Sequence, residues 1–561
     1  MSAIIECVPN FSEGRDKNKL QQIAAVIQAT EGVKLLHVDP GKSTNRTVFT
    51  FVGAPERVII AAHAAIIKAS EIIDMRQHSG EHPRMGATDV CPLIPISGIS
   101  LEETAEYAQQ LGRMVGSSGI PVYMYEAAAK SPERTNLAVI RRGEYEGLEK
   151  KMQDPKWKPD YGPDTFHASA GATVIGARDF LVAYNVNLNS RSVRRANSVA
   201  FDVRERGRIK RDGHEITGDI VRDSDGNPVR QAGELKAVKA IGWYIDEYDQ
   251  AQISMNLTDL KQTSVHEAFE ACRRSASKRG MRVTGSELIG LAPKSVFLQA
   301  GRYFLKQQRR STGVSEGVII DTAVKSLGLD DLQEFDPKKR IIEYLMMADS
   351  DRLIDMSLEA LVQETASDSM APGGGSIAAA IGACGASLAC MVANLSANKR
   401  DWDDRVEEFS QVADKAQEHI QAFLQLVDED TAAFDGIMSA IRMAKGTDEE
   451  KKRRLQAIDQ ATLYAIQIPM RTLSMALAAM DVVDQMISKG NPSSVSDAGV
   501  AALSMQAAGE GAYMNVLINL QDYTDNKASA ELKSKADDLL DQLKQRTAAA
   551  TQACYVVISG S

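Results

Sequence analysis

Near its start the chain reads Ile4-Ile5-Glu6-Cys7-Val8-Pro9-Asn10, an apolar strand pattern that ends at an asparagine before a polar turn and a helix. The same pattern returns in Phe180-Leu181-Val182-Ala183-Tyr184-Asn185-Val186-Asn187. Two such units favour a tandem duplication over a solenoid, because this spacing is far longer than that of a stacking repeat. We therefore expect two similarly built subdomains in the first part of the chain.

The segments after each opening strand predict the same order of elements. In the first copy, apolar periodicity predicts a helix, two strands, a helix and a strand, at 17–30, 33–38, 47–52, 55–73 and 88–95. In the second copy the middle strands are predicted at 241–245 and 252–257, followed by a helix at 264–278. The order β-α-β-β-α-β predicts ferredoxin-like sheets with helices on one face.

Helical periodicity takes over after Lys338, and from Ser357 onward no convincing strand is seen. The fold class predicted is an α+β N-terminal half of duplicated ferredoxin-like subdomains, followed by an all-α helical bundle. The predicted domains are 1–179, 180–340, a linker at 341–351, and 352–561.

The composition indicates a globular protein of several domains, with 561 residues, 44% hydrophobic and 25% charged. A net charge of −10 argues against a nucleic-acid binder, which needs a basic stripe. Six cysteines without paired spacing, and no signal-peptide pattern, predict a cytoplasmic protein. The apolar run 377–395 is expected to be a core helix of a bundle rather than a membrane span.

A polar loop between a predicted helix and a strand is the first candidate site. It spans Met75–Pro95 and contains His78 and His82. Such loops are often solvated connections, but Gly80 and Pro83 restrict the backbone around His82, as a positioned general base requires. The same two residues argue against a helix and therefore against a zinc site.

The second candidate site lies in the predicted bundle. A helical stripe of apolar residues runs along 409–441, and Asp430 falls on it, whereas Asp428 is predicted on the solvated face. A carboxyl in a core should have a raised pKa, which suits acid–base chemistry. The alternative is a buried aspartate tied to a lysine or a helix end. Three glycines, Gly373 to Gly375, precede a helix and offer free N–H groups to an anion, unless they form only a flexible turn.

Residues 204–233 are rich in charge and turn residues, which predicts a hairpin or flap. Asp223 to Asn227 superficially resembles a calcium loop but has no distal glutamate. No metal site is predicted.

Several motifs resemble known families. Residues 6–14, 43–47, 80–95 and 171–178 are similar to the glutamate formimidoyltransferase domain. Residues 371–376, 427–434 and 513–522 are similar to formimidoyltetrahydrofolate cyclodeaminase. In this order, over nearly the whole chain, they resemble the bifunctional formimidoyltransferase-cyclodeaminase family.

This resemblance implies a folate enzyme of histidine degradation, both a transferase and a lyase. It implies transfer of the formimidoyl group between N-formimidoyl-L-glutamate and tetrahydrofolate. It further implies cyclisation of 5-formimidoyltetrahydrofolate to 5,10-methenyltetrahydrofolate with release of ammonia. Tetrahydrofolate, with or without a polyglutamate tail, would be a co-substrate, and no metal is implied.

The resemblance also assigns residues. His82 matches the transferase base and Asp430 the cyclodeaminase carboxylate. We add Asp39, Arg46 and Arg84 as supporting residues, Asp39 to orient His82 and the arginines to hold substrate carboxylates. The folate segment is Gly162, Pro163, Asp164, Thr165, Phe166, His167, Ala168, Ser169, Ala170 and Gly171, and the cyclodeaminase site adds Gly373, Gly374, Gly375, Ser376, Tyr513 and Asn515.

The partners expected are small-molecule substrates and further copies of the chain in a homo-oligomer, with no nucleic acid and no membrane. Two alternatives remain open. The protein retains only one of the two activities, or it is a folate-binding scaffold whose sites are worn.

Overall fold

The structure is a computed structural model, which describes residues 3–42, 44–80, 83–213, 217–347 and 352–559. By internal contacts the chain divides into two compact units. One consists of Met1–Ala300 with Val324–Ala348, and the other of Gly301–Ala323 with Asp349–Ser561.

The first subdomain is built on a mixed sheet. Its elements are β1 (Ile4–Cys7), β2 (Asn10–Phe11), α1 (Lys17–Gln28), β3 (Val33–Gly41), β4 (Arg46–Gly53), α2 (Pro55–Ile72), β5 (Thr88–Ser97), α3 (Leu101–Ser117), β6 (Val122–Glu126), α4 (Leu137–Ile140), α5 (Leu148–Met152) and β7 (Thr173–Ala177). β1 and β2 are two pieces of one strand, because both pair with β4 and β5 and Pro9 lies between them.

The sheet order carries the ferredoxin-like pattern. β3, β4, β1 with β2, and β5 are neighbours in that order and all antiparallel, and β7 and β6 extend the edge in parallel. Alternate residues such as Phe49 and Phe51 lie in the core with α1 and α2. The opposite alternation sends Glu6 and Arg46 to the other face of the sheet, where the polar loop residues lie.

The second subdomain repeats this topology. Its elements are β8 (Val182–Leu188), α6 (Val193–Val203), β9 (Arg208–Ile209), β10 (Arg211–Asp212), β11 (Asp219–Ile220), β12 (Arg230–Gln231), β13 (Val238–Ile245), β14 (Gln250–Leu257), α7 (Val265–Ser277) and β15 (Val283–Ile289). The order β13-β14-β8-β15 is antiparallel throughout and matches β3-β4-β1-β5. The predicted duplication is confirmed.

The charged insertion after α6 forms a long hairpin, as predicted. β9 pairs with β12 and β10 with β11. In the turn between β11 and β12, the Asp223 side chain accepts hydrogen bonds from the backbone N–H groups of Asp225 and Asn227. The carboxylate therefore satisfies backbone donors of its own turn.

Four helices follow β15, and the last of them lies within the segment predicted as a linker. They are α8 (Lys294–Gln307), α9 (Glu316–Leu327), α10 (Pro337–Arg340) and α11 (Ile342–Met347). Ile341 and Ile342 are buried, and residues 348–351 lie outside the described residues. Residues 301–323 group with the helical unit, whereas the sequence places them before the boundary at 340. The domain bounds stay a prediction.

The rest of the chain is helical, which confirms the predicted bundle. Its helices are α12 (Leu358–Thr365), α13 (Gly374–Ala397), α14 (Val406–Ile441), α15 (Asp448–Lys489), α16 (Val495–Leu520) and α17 (Asn526–Ser559). α13 packs against α14, α15 and α16. In the part of the chain that the structure describes, α13 alone is long and apolar enough to cross a membrane. However, 61% of its apolar window is buried, as in a core helix.

Candidate active sites

A cavity of about 520 Å³ opens beside the polar loop of the first subdomain. It is lined by His78, Ser79, Gly80, Arg84, Gly143, Glu144 and Glu146. Gly80 lies directly against the turn before β4, since a Cβ there would come within 2.2 Å of the Thr44 carbonyl oxygen. The loop can take this path only with glycine at position 80.

The predicted base, His82, lies outside the described residues together with Glu81. The structure places their neighbours on both sides, Gly80 and Arg84, at the cavity wall. The role of His82 therefore stays a prediction, located by its neighbours to this loop.

His78 lines the cavity with both ring nitrogens engaged. Its Nε2 lies 2.8 Å from the carbonyl oxygen of Asn45, and its Nδ1 lies 3.2 Å from Nε of Arg84. A carbonyl only accepts and a guanidinium only donates, so His78 is neutral, with its proton on Nε2. Burial lowers the pKa of His78, with Arg84 adding to the effect and the Asn45 carbonyl opposing it. These contacts suit a positioning histidine better than a general base.

Arg84 is nearly buried, and its guanidinium group binds two glutamate carboxylates that the sequence alone does not indicate as partners. Its Nη1 lies 3.0 Å from Oε2 of Glu144 and from Oε2 of Glu146, and its Nη2 lies 2.6 Å from Oε1 of Glu146. Burial works to lower the pKa of Arg84, but the two glutamates outweigh it and raise the pKa. In the free protein, Arg84 is thus paired with carboxylates of its own chain.

Arg46 reaches the same face of the sheet and is also paired internally. Its guanidinium donates to Oδ1 of Asn10 at 2.9 Å and to Oδ2 of Asp89 at 3.1 Å. Asp89 is fully buried and also binds Arg141 and the backbone N–H of Met85. Burial lowers the pKa of Arg46 to about 10, against the attraction of Asp89. Its predicted role toward a substrate carboxylate stays a prediction.

Asp39 is exposed on β3, opposite Val48 of β4. Burial lowers the pKa of His37, two residues earlier, and the charge of Asp39 opposes part of this decrease. The predicted contact between Asp39 and His82 involves a residue outside the described ranges and is therefore not decided.

The predicted folate segment, 162–171, runs beside the loop. The carbonyl oxygens of Ser169 and Ala170 accept hydrogen bonds from the backbone N–H groups of Met75 and Ala87. Gly171 has a φ of 67°, and a Cβ there would lie 2.2 Å from the carbonyl oxygen of Met85. This close approach explains the glycine and brings the C-terminal end of the segment to the base of the cavity loop.

Tyr145 connects this segment with the carboxylates of the cavity. Its hydroxyl donates to the Ala168 carbonyl at 2.5 Å, and its ring lies 5.5 Å from that of Phe166. Its backbone N–H donates to the carbonyl of Arg84 at 2.9 Å. Residues 144–146 therefore lie between the cavity and the predicted folate segment.

Glu6 is a further buried acid, and it is not among the predicted site residues. It is 1% exposed, and its Oε2 has no hydrogen-bond partner among the described residues. Burial raises the pKa of Glu6 to about 8, with Arg178 opposing and Glu343 adding to the effect. A glutamate between Ile5 and Cys7 in a buried strand was the available signal.

The second candidate site lies where α14 meets the N-terminus of α13. Ser376 donates its hydroxyl proton to Oδ2 of Asp430 at 2.9 Å. Burial raises the pKa of Asp430, while the hydroxyl and backbone N–H of Ser376 oppose this rise. Asp430 thus faces a helix end, the alternative that the sequence left open, and its raised pKa agrees with the prediction.

The two glycines at the start of α13, Gly374 and Gly375, lie close to this carboxyl and to Asn515. A Cβ at Gly375 would lie 2.2 Å from Oδ1 of Asp430, and one at Gly374 would lie 3.3 Å from Nδ2 of Asn515. Gly374, Gly375, Ser376, Asp430 and Asn515 therefore come together as predicted residues of one site. A Cβ at Gly373 would meet no heavy atom within 4 Å.

The hydroxyl of Tyr513 donates to Oδ1 of Asp537 on α17 at 2.6 Å, and its part in the cyclodeaminase site stays a prediction. One other expectation about the bundle turns out differently. Asp428 was predicted on the solvated face, yet it is half-buried and accepts the backbone N–H of Leu353 at 2.9 Å. The partner of Asp428 comes from a preceding segment that helical periodicity does not reveal.

Comparisons with known proteins cover the same segments. Family models match at residues 4–178 (formiminotransferase domain, N-terminal subdomain), 183–347 (formiminotransferase domain) and 357–538 (formiminotransferase-cyclodeaminase). Formimidoyltransferase-cyclodeaminase of Rattus norvegicus is 40% identical over 551 residues, 98% of each chain. The chain belongs to the formimidoyltransferase-cyclodeaminase family.

Two shorter relatives match the two parts of this family separately. Glutamate formimidoyltransferase of Thermoplasma acidophilum is 38% identical over 322 residues, 57% of this chain and 96% of that protein. Methenyltetrahydrofolate cyclohydrolase of Methylorubrum extorquens is 33% identical over 184 residues, 33% of this chain and 88% of that protein.

Proposed function

We propose that the protein carries out two consecutive folate reactions. It transfers the formimidoyl group between N-formimidoyl-L-glutamate and tetrahydrofolate, and it then cyclises 5-formimidoyltetrahydrofolate to 5,10-methenyltetrahydrofolate and ammonia. The observation that carries this proposal is the presence on one chain of both family segments, from 4–347 and 357–538, each with its own cluster of polar residues.

In the transfer, N5 of tetrahydrofolate attacks the formimidoyl carbon and forms a tetrahedral intermediate. The intermediate collapses when the bond to the glutamate nitrogen breaks. A base must take the N5 proton and an acid must protonate the departing nitrogen, and a histidine near neutral pKa can do both. We assign this to His82, supported by its place in the loop between Gly80 and Arg84. Asp39, Arg46 and Arg84 are proposed to support it.

In the cyclisation, N10 attacks the same carbon within one molecule, and the former imino nitrogen leaves as ammonia. The chemistry requires removal of a proton from N10 and addition of one to the leaving nitrogen. The Asp430 carboxyl, whose pKa is raised by burial, is suited to exchange protons with these two nitrogens. The hydroxyl of Ser376 donates to this carboxyl, and Asn515 and Asp430 lie against Gly374 and Gly375.

Tetrahydrofolate is the proposed co-substrate of the transfer, and its 5-formimidoyl form is the substrate of the cyclisation. Residues 162–171 are the proposed binding segment at the first site. A polyglutamate tail is the finer part of this proposal. Three arginines of the first subdomain, Arg46, Arg84 and Arg141, are cations that support the proposal of an anionic tail. A lower KM for a polyglutamylated than for a monoglutamylated tetrahydrofolate would support the tail, and equal values would contradict it.

We further propose a cytoplasmic homo-oligomer. The bundle exposes apolar side chains on α13 and α16, namely Met391, Leu395, Val500, Leu503, Met514 and Ile518. A further copy could cover this surface. Light scattering should give a mass that is a multiple of 60.9 kDa. This mass should fall in Leu503→Glu. It should not fall in Leu455→Glu, which changes an exposed residue of α15. A wild-type mass of one chain would contradict the oligomer.

The function is tested by supplying N-formimidoyl-L-glutamate and tetrahydrofolate to the purified full-length protein. The proposal predicts that ammonia and 5,10-methenyltetrahydrofolate form in equal amounts. Formation of 5-formimidoyltetrahydrofolate alone would leave only the transferase. Binding of folate without either product would favour the scaffold.

A further inference from the structure

Arg84, Glu144 and Glu146 form a cluster in which two carboxylates bind a guanidinium group. The donor substrate carries the same two kinds of charged group. The Arg84 side chain is 10% exposed, whereas those of Glu144 and Glu146 are 42% and 62% exposed. Glu146 holds the guanidinium with both carboxylate oxygens. The three side chains line a cavity of about 520 Å³, so their carboxylates are within reach of a ligand there.

A formimidoyl group is an amidine, a strong base that carries a proton near neutral pH. Its protonated form is a planar N–C–N unit with N–H donors on both nitrogens, like the end of a guanidinium. A carboxylate that binds guanidinium through two parallel hydrogen bonds can bind an amidinium in the same way. The rest of the donor is a glutamate, whose carboxylates are in turn partners for a guanidinium.

We propose that this cluster recognises the donor substrate by exchange of partners. Glu146, assisted by Glu144, binds the amidinium of N-formimidoyl-L-glutamate. Arg84 then pairs with one of the substrate's carboxylates in place of the two glutamates. The inference rests on the proposed transferase function and names the groups that select its donor. In the free protein the internal ion pairs keep the nearly buried Arg84 from being left without a partner, which would be costly.

The surroundings of the cluster favour such an exchange. His78 accepts from Nε of Arg84, so one edge of the guanidinium stays anchored when Nη1 and Nη2 change partners. Glu144 has a φ of 52°, in the left-handed region, directly after Gly143. This turn directs the Glu144 carboxylate to Arg84, and Tyr145 connects the same turn to the predicted folate segment.

The test compares a cationic and a neutral ligand. N-formyl-L-glutamate has the same shape as the donor but carries an oxygen in place of the imino nitrogen and has no positive charge. Dissociation constants of both are measured by calorimetry on the full-length protein without folate. The wild type should bind the formimidoyl compound more tightly. In Glu146→Gln and Glu144→Gln that preference should fall, by about tenfold in the double variant, or about 1.4 kcal/mol.

Controls separate this inference from the proposed function. Glu149→Gln removes a nearby exposed glutamate with no ion pair among the described residues and should keep the wild-type preference. Circular dichroism and the cyclisation rate with 5-formimidoyltetrahydrofolate should be unchanged in all variants. A wild type that transfers the group, with a preference unaltered in the double variant, overturns partner exchange alone. A wild type that transfers nothing overturns the proposed function.

Discussion

The hydroxyl of Ser376 lies 2.9 Å from Oδ2 of Asp430, so the first turn of α13 holds a carboxyl that projects from α14. The two residues are 54 positions apart in the chain. Their contact orients a half-buried aspartate whose pKa is raised by its partial burial, as the proposed role in proton transfer requires.

Gly375 should be intolerant of any side chain. A Cβ there would lie 2.2 Å from Oδ1 of Asp430, so Gly375→Ala must displace the carboxyl or the start of α13. We expect loss of cyclisation by at least about tenfold, given how strongly misplacement of a catalytic group slows reactions. Rates of ammonia release from 5-formimidoyltetrahydrofolate measure this.

The matched control is Gly436→Ala on α14, where a Cβ would meet nothing within 4 Å. It should keep both activities, and its unfolding temperature should not fall, because alanine favours a helix over glycine. A Gly375→Ala protein with wild-type cyclisation would refute the close packing around Asp430.

Ser376→Ala should shift the pH dependence of cyclisation. The Ser376 hydroxyl opposes the rise in the pKa of Asp430, so its removal raises that pKa further. The limb of the kcat/KM profile that belongs to Asp430 should therefore move to higher pH. The control is Ser387→Ala on α13, which removes a hydroxyl that donates to the carbonyl oxygen of Ala383, and it should leave the profile in place. A shift to lower pH, or equal profiles, would count against the assignment.

Glu6→Gln should change how stability depends on pH. Burial raises the pKa of Glu6 from its ordinary value of 4.5 to about 8, so between these values the folded state holds a proton that the unfolded state has lost. Stability from this group is complete below pH 4.5 and is lost as the pH rises through 8. A tenfold difference in proton affinity between the folded and unfolded states corresponds to about 1.4 kcal/mol of unfolding free energy.

We therefore expect Glu6→Gln to raise the unfolding temperature at pH 8 relative to the wild type and to change it little at pH 4.5. Thermal unfolding at both values measures this difference. Glu102→Gln, at an exposed position in α3, should show no difference between the two values. A Glu6→Gln protein that is destabilised more at pH 8 than at pH 4.5 would reverse the predicted sign.

Asp89→Asn should be one of the most damaging single changes in the first subdomain. The Asp89 carboxylate is fully buried between Arg46 and Arg141, and Asp89→Asn takes its negative charge away from both guanidinium groups. Breaking a buried ion pair in this way costs about 3 to 5 kcal/mol. Chemical unfolding measures the loss, together with the transferase rate.

The comparison is Glu71→Gln, which removes an exposed ion pair with Lys68 and should cost at most about 1 kcal/mol. Equal effects of the two changes would show that the Asp89 cluster does not organise this face of the sheet.

Periodicity and local motifs were enough to predict the duplicated sheets and the bundle. The strand pattern repeated at Ile4 and Phe180 gives matching sheet orders, because alternating burial specifies which face each strand covers. Asp430 could be singled out for a similar reason, since it stands on the apolar stripe of its own helix.

The ion-pair partners could not be predicted in this way. Arg84 meets glutamates 60 and 62 positions away, and Asp89 meets Arg46 and Arg141 from distant segments. Such pairs depend on how loops fold over a sheet, which no local pattern specifies. Asp428 was misplaced for the same reason, as its N–H partner at Leu353 is 75 positions away.

The most direct measurement uses two inactivated proteins, His82→Ala and Asp430→Asn, each supplied with N-formimidoyl-L-glutamate and tetrahydrofolate. We expect that neither variant alone releases ammonia, that Asp430→Asn accumulates 5-formimidoyltetrahydrofolate, and that His82→Ala converts this compound, when it is supplied, to 5,10-methenyltetrahydrofolate. A mixture of the two should therefore release ammonia from the original substrates. Loss of both reactions from either change, or no ammonia from the mixture, would contradict two separate sites on one chain.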